Sequence, residues 1–170
     1  MSFIVSFVLA IGLLIMPVLT MPAIAASPSS LAALPGFSKL FAGEAPELGL
    51  KDGHLSTCPQ SPNCVVSQGA DADHAIAPIP YTGSREQARD LLIKVLGVVP
   101  RTEIVAQTDD YIRVESASRL MGFVDDAEFY LPEDESVIHV RSAARLGESD
   151  LGVNRRRLEQ IRFAMQDLGA

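Results

Sequence analysis

Apolar residues recur at intervals of three and four over Ala88, Leu91, Leu92, Val95 and Leu96, the spacing that lays one apolar stripe along an α-helix. Ser84-Arg85-Glu86-Gln87 precedes the stripe in the form of a capping box, Gly97 closes it and Pro100 prevents its restart. A second stripe runs through Leu151, Asn154, Leu158, Ile161, Met165 and Leu168. It predicts a helix beginning near Asp150, capped by Ser149 or Asp150. Asn154 is the polar exception on that stripe, an amide that burial would oblige to find partners.

Between the two stripes the period drops from near four to two, the signature of strands. Four are predicted: Glu103–Gln107 and Tyr111–Ser116 around the turn Thr108-Asp109-Asp110, then Phe123–Leu131 and Val137–Ser142 around Pro132-Glu133-Asp134-Glu135. Ile112 and Val114 share one face of their strand, as do Phe123, Ala127, Phe129 and Leu131, and Ile138 and Val140. The other face carries Arg113, Glu115, Asp126, Glu128, His139 and Arg141. The expected fold is therefore α+β, in the order α-β-β-β-β-α, an antiparallel sheet of about four strands covered on one face by both helices. Its charged side reads either as an exposed sheet laced with cross-strand ion pairs or as a polar surface that holds a ligand.

The first is the commoner arrangement, and two loops keep the second reading open. Ser116-Ala117-Ser118-Arg119-Leu120 and Ser142-Ala143-Ala144-Arg145-Leu146 are near copies. Each leaves a strand and delivers an arginine, and the second and fourth strands of a meander run in the same direction. Arg119 and Arg145 are thus expected at one end of the sheet, a clamp for a carboxylate, phosphate or sulfate. The alternative ties each arginine to Asp125 or Asp126. Arg155, Arg156 and Arg157 lie early in the last helix, where its dipole disfavours cations. They call for anionic company, either Asp125, Asp126 and Glu128 or a ligand.

Composition alters this picture at the amino terminus. The 170 residues are 48% hydrophobic, but Met1–Ala26 holds no Lys, Arg, Asp or Glu and inflates that average. Ala23-Ile24-Ala25 suits a signal-peptidase site, whereas the lack of a basic residue before the run allows an uncleaved anchor over residues 3–25. Cleavage is the favoured reading. Residues 27–53, with Pro28, Pro35 and Pro46, read as a linker or irregular arm, and residues 54–170 as one globular domain. Cys58 and Cys64, the only cysteines, close a proline-stiffened loop as a disulfide suited to an exported protein. Adding His54 and His74 would make four zinc ligands, but the spacing fits no common metal motif; neither a metal nor a cofactor is expected. A net charge of −7 disfavours nonspecific binding to nucleic acid or to an anionic membrane surface.

Several strings resemble one family. Cys58-Pro59-Gln60-Ser61-Pro62-Asn63-Cys64-Val65, Phe123-Val124-Asp125-Asp126-Ala127-Glu128-Phe129, Val140-Arg141-Ser142-Ala143-Ala144-Arg145 and Ser149-Asp150-Leu151-Gly152-Val153-Asn154-Arg155-Arg156-Arg157 look like domain of unknown function 1499 (DUF1499). Gln68 and Ala144 stand where that family would have serines. The resemblance covers the chain from about Cys58 onward. It implies a bacterial or plastid-associated fold unit, in the periplasm or thylakoid lumen, and supplies no reaction.

The expectation for function is an exported noncatalytic binding or assembly module for an anionic small molecule or a protein partner. Its ligand-binding residues would be Arg119, Arg145, Asp125, Asp126, Glu128, Arg141, Asn154 and Arg155. The competing expectation is a hydrolase-like enzyme in which Asp126 or His139 is the general base and the arginines stabilise developing charge. No nucleophile elbow, metal triad or phosphate loop accompanies it.

Overall fold

The computed structural model describes residues 41–170. The signal or anchor expected over residues 1–26, and the first part of the arm, lie outside the described residues. The elements are β1 (Cys64–Val66), β2 (Ile79–Pro80), α1 (Arg85–Leu96), β3 (Thr102–Gln107), β4 (Tyr111–Ala117), β5 (Val124–Tyr130), β6 (Val137–Ala144) and α2 (Val153–Asp167). The sheet is antiparallel in the order β1-β6-β5-β4-β3, and β2 pairs with the start of β6.

The fold is α+β, but six strands replace the expected four. The meander β3–β6 lies close to where alternation placed it. The added strands are three and two residues long, too short for alternation to register. They exist because β6 would otherwise expose an unpaired edge. Cys64, Val65 and Val66 pair with Ala143, Ser142 and Arg141, and Ile79 and Pro80 with Ile138 and Val137.

The capping box at α1 is present: Ser84 Oγ accepts from Gln87 N at 3.2 Å, and Ser84 N donates to Gln87 Oε1 at 3.1 Å. The second helix starts later than expected, at Val153. Leu151 and Gly152 are both left-handed, with φ of 53° and 75°, and a helix cannot run through that region. Asp150 still serves the helix start, since its carboxylate accepts from Gly152 N at 2.9 Å and Asn154 N at 2.7 Å. Leu151, expected on the inward stripe, is instead 83% exposed, and Leu168 beyond the helix end is also exposed.

The core unites both helices with one side of the sheet. Leu92, Val95 and Leu96 of α1 and Leu158, Ile161 and Met165 of α2 cluster with Ile112, Val114, Ala127, Phe129, Ile138 and Val140. The other side is covered by the arm rather than by water. Leu50 and Leu55 pack with Val66, Tyr111 and Tyr130, and Gly49 N donates to Glu128 Oε1 at 3.0 Å. Gln68 fastens this arm, accepting from Leu55 N at 2.9 Å and donating to Gly53 O at 3.2 Å. An amide spans both contacts, which a serine at this position is too short to do.

Cys58 and Cys64 form a disulfide with Cα atoms 5.6 Å apart. The pairing takes both sulfurs out of the four-ligand zinc set, and no group of three or more candidate metal ligands occurs among the described residues. Opening the bridge with a Cys58→Ser/Cys64→Ser double substitution is expected to lower the unfolding free energy by about 2 kcal/mol, because it closes only a short loop. Urea midpoints of the two proteins measure this directly.

Candidate functional site

Strand alternation puts Arg113 and Glu115 of β4, Asp126 and Glu128 of β5, and His139 and Arg141 of β6 on the arm-covered side. The register sets Glu128 between Arg113 and Arg141, and Glu115 opposite Asp126. Asp126 is 1% exposed and Glu128 fully buried, so the open charged sheet is corrected to a closed network. Asp126 Oδ1 accepts from Arg113 Nη2 at 2.7 Å and Arg145 Nη2 at 2.9 Å, and its Oδ2 accepts from Arg145 Nε at 2.6 Å. Arg145 also pairs with Glu115. Glu128 accepts from the Tyr111 hydroxyl at 2.8 Å and Arg141 Nη1 at 3.2 Å.

Burial pushes the Asp126 carboxyl upward, but hydrogen bonds and charge from Arg145 and Arg113 outweigh it and hold the group below the usual aspartate value. Burial, followed by the charge of Glu128, pushes the Tyr111 phenol far up, so that it donates to the carboxylate as a neutral hydroxyl. A small cavity of about 160 Å³ adjoins this network, lined by Glu44, Pro46, Pro59, Asp126, Arg141 and Arg145 among others. His139 lies at the far end of the same face. Its Nδ1 is 3.2 Å from Ser67 Oγ, its ring stacks on Tyr130 with centroids 6.2 Å apart, and its Nε2 is 3.7 Å from Glu135.

On the helix side, Asp125 faces inward, out of reach of this network. Asp125 Oδ2 accepts from Arg157 Nη2 at 2.7 Å, and Arg157 Nη1 donates to Asn154 Oδ1 at 3.0 Å. The Ser142 hydroxyl also donates to Asn154 Oδ1, while Asn154 Nδ2 donates to Asn63 O at 3.3 Å. The buried amide thereby receives the partners its position demands. Burial pushes the Asp125 carboxyl above its usual value, with the Arg157 hydrogen bond opposing it.

Asp125 and Arg157 of this relay line the inner wall of a cleft of about 410 Å³ between the end of β4, the α1–β3 loop and the start of α2. Arg101, Arg119, Arg156 and Arg157 line it, and among the described residues Asp125 is the only acid that does. Arg101 Nε is held by Ala117 O at 3.1 Å and Arg156 Nη1 by Leu151 O at 2.7 Å. Arg119 is exposed, with no hydrogen bond or ion pair among the described residues.

The predicted clamp does not form. Arg119 and Arg145 stand at the same end of the sheet but on opposite sides of it. Arg145 N donates to Val124 O at 3.0 Å, so Arg145 keeps the alternation of β6 and falls on the arm side. Arg119 has left the ladder, inside a reversal closed by Ser118 N to Phe123 O at 2.8 Å. Arg155 lies elsewhere, donating to Ala75 O at 2.7 Å and Asp73 O at 2.9 Å. Of the expected binding residues, the cleft collects Arg119 and Asp125 at its lining with Asn154 behind them. Arg101 was not foreseen as a site residue; its place beside the helix-breaking Pro100 was the one available signal.

A family model described as a protein of unknown function (DUF1499) matches residues 54–165. No curated protein and no solved structure matches the chain. The match spans β1 through nearly all of α2, including every residue of the relay behind the cleft. The chain belongs to the DUF1499 family.

Proposed function

We propose that this protein is an exported, noncatalytic module that binds an anionic ligand in the Arg101–Arg119–Arg156–Arg157 cleft. One observation carries the reading. Four guanidinium groups and a single carboxylate line this cleft in a chain whose net charge is −7. Guanidinium groups bind carboxylates and phosphates through paired N–H donors. The Asp125–Arg157–Asn154–Ser142 relay orients one of the four, and Arg119 is free to close on a guest.

Export rests on the apolar Met1–Ala26 stretch acting as a signal, and the Cys58–Cys64 bridge suits an oxidising compartment. Among the described residues no helix is long and apolar enough to cross a membrane. The enzymatic alternative finds less support. Neither Asp126 nor His139 lines the cleft, and both oxygens of Asp126 accept from guanidinium groups, which leaves it a poor base.

Calorimetric titration with inorganic phosphate and glycerol 3-phosphate tests the reading. Saturable binding is expected in the wild type and a loss of about tenfold or more in Arg119→Ala. The melting temperature should stay nearly constant, because an exposed side chain without partners contributes little to stability. A fall in stability with unchanged binding would assign Arg119 to the fold instead.

A further inference from the structure

The cleft is bordered by apolar groups that the fold does not use. Among the described residues ten large apolar side chains are exposed. Five of them, Val98, Leu120, Met121, Leu151 and Val153, sit on or beside the three segments that build the cleft. Val98 precedes the lining residues Val99 and Pro100, Leu120 and Met121 follow Arg119, and Val153 lines the cleft itself. Leu120 and Leu151 are 86% and 83% exposed. Leu151 also holds a φ of 53°, a conformation leucine rarely adopts and one that here gains no burial. Apolar side chains gathered around a polar site mark a surface that meets an apolar partner.

We infer that the ligand of this cleft is a phospholipid presented by a bilayer, with its phosphate among the arginines and the Leu120 and Leu151 loops in the acyl boundary. This rests on the anion-binding reading above and names its source. A free phosphate ester would satisfy the guanidinium groups but leave the apolar border in water. Phe41, at the beginning of the described chain, packs edge-on against Phe123 of the β4–β5 loop with centroids 5.6 Å apart. The described chain therefore begins at the end of the fold that carries the cleft. The chain's net charge of −7 opposes approach to an anionic surface. Screening over about 8 Å at physiological salt confines that repulsion, and contact is governed by the arginines and leucines at the tip.

The chain contains no tryptophan, so Leu120→Trp in the full chain reports that position alone. With phosphatidylglycerol/phosphatidylcholine vesicles its emission is expected to shift blue and to be quenched by brominated acyl chains. Phe163→Trp, an exposed site about 15 Å along α2 from Val153, should show neither effect. Adding Leu151→Ser or Arg119→Ala to Leu120→Trp should each weaken vesicle partitioning by about tenfold. No response at position 120 while inorganic phosphate still binds would overturn the lipid source and leave the anion site standing. No response to either probe removes both. Equal quenching at 120 and 163, or quenching indifferent to Arg119→Ala, would also overturn the inference, since lipid contact would then be unoriented or independent of the cleft.

Discussion

Glu128→Ala is expected to destabilise the fold by about 3–5 kcal/mol, the usual cost of removing one partner from a buried ion pair. Glu128 is fully buried in the middle of β5, and three donors converge on it from β4, β6 and the arm: the Tyr111 hydroxyl, Arg141 Nη1 and Gly49 N. Truncation strands the guanidinium of Arg141, which is 7% exposed and whose Nε already has no hydrogen-bond partner among the described residues. It also frees the link that seats the arm. The loss should appear as a fall of roughly 10 °C or more in melting temperature and a lower urea midpoint. Glu128→Gln, which keeps acceptors for Tyr111 and Gly49 but not the charge, should fall between. A loss below about 1 kcal/mol would show that water reaches the network and that the arm does not seal it.

Asp126→Ala is the second large effect, again about 3–5 kcal/mol, because it leaves Arg113 and Arg145 facing each other without their shared carboxylate. Its pH dependence gives a sharper test. The folded-state pKa of Asp126 lies below the ordinary 3.8, so the folded state binds its proton less readily than the unfolded chain does. The stability this confers is fully present above the ordinary value and is lost as pH falls through the folded value. The gap between wild type and Asp126→Asn should therefore persist from neutral pH to about 4 and close below it. Asp125 has the opposite sign: its folded pKa is raised, so its ionisation costs stability as pH rises from 3.8 through the folded value. Urea titrations of the wild type and the two asparagine variants across that range separate the contributions. A gap that widens as the pH falls below 4 would place Asp126 outside the guanidinium pair.

Most of the meander was legible from its alternation. Ile112, Val114, Phe129 and Val140 had to share a face once the period was two, and they meet the helices as that period requires. The capping box announced α1 because Ser84 and Gln87 act within one turn. Elements whose cause lies elsewhere in the chain were not legible. Residues Cys64–Val66 and Ile79–Pro80 become strands only because β6 offers them an edge. The start of α2 depended on a left-handed pair that no helical stripe reveals. Asn154 was foreseen as a buried amide and found buried, but its partners Ser142 and Asn63 come from another strand and a loop.

The candidate site divides in the same way. Charge and repetition singled out Arg119 and Arg145, and their common end of the sheet followed from strand direction. Which side each would take did not follow, since it turns on whether the residue still belongs to a hydrogen-bonded ladder.

By itself the sequence determined the α+β class, the apolar and charged sides of β4–β6, the disulfide and the family. These follow from periodicity and from residues close together in the chain. Only the tertiary structure decided that the charged side is closed by the arm, that Asp125 and Asp126 face opposite ways into separate networks, and that Arg101, Arg119, Arg156 and Arg157 share one cleft. Burial and pairing of charge depend on what arrives from 13 to 91 residues away, as Arg113 arrives at Asp126, Gly49 at Glu128, Arg157 at Asp125 and Asn63 at Asn154. Local pattern carries no record of such arrivals.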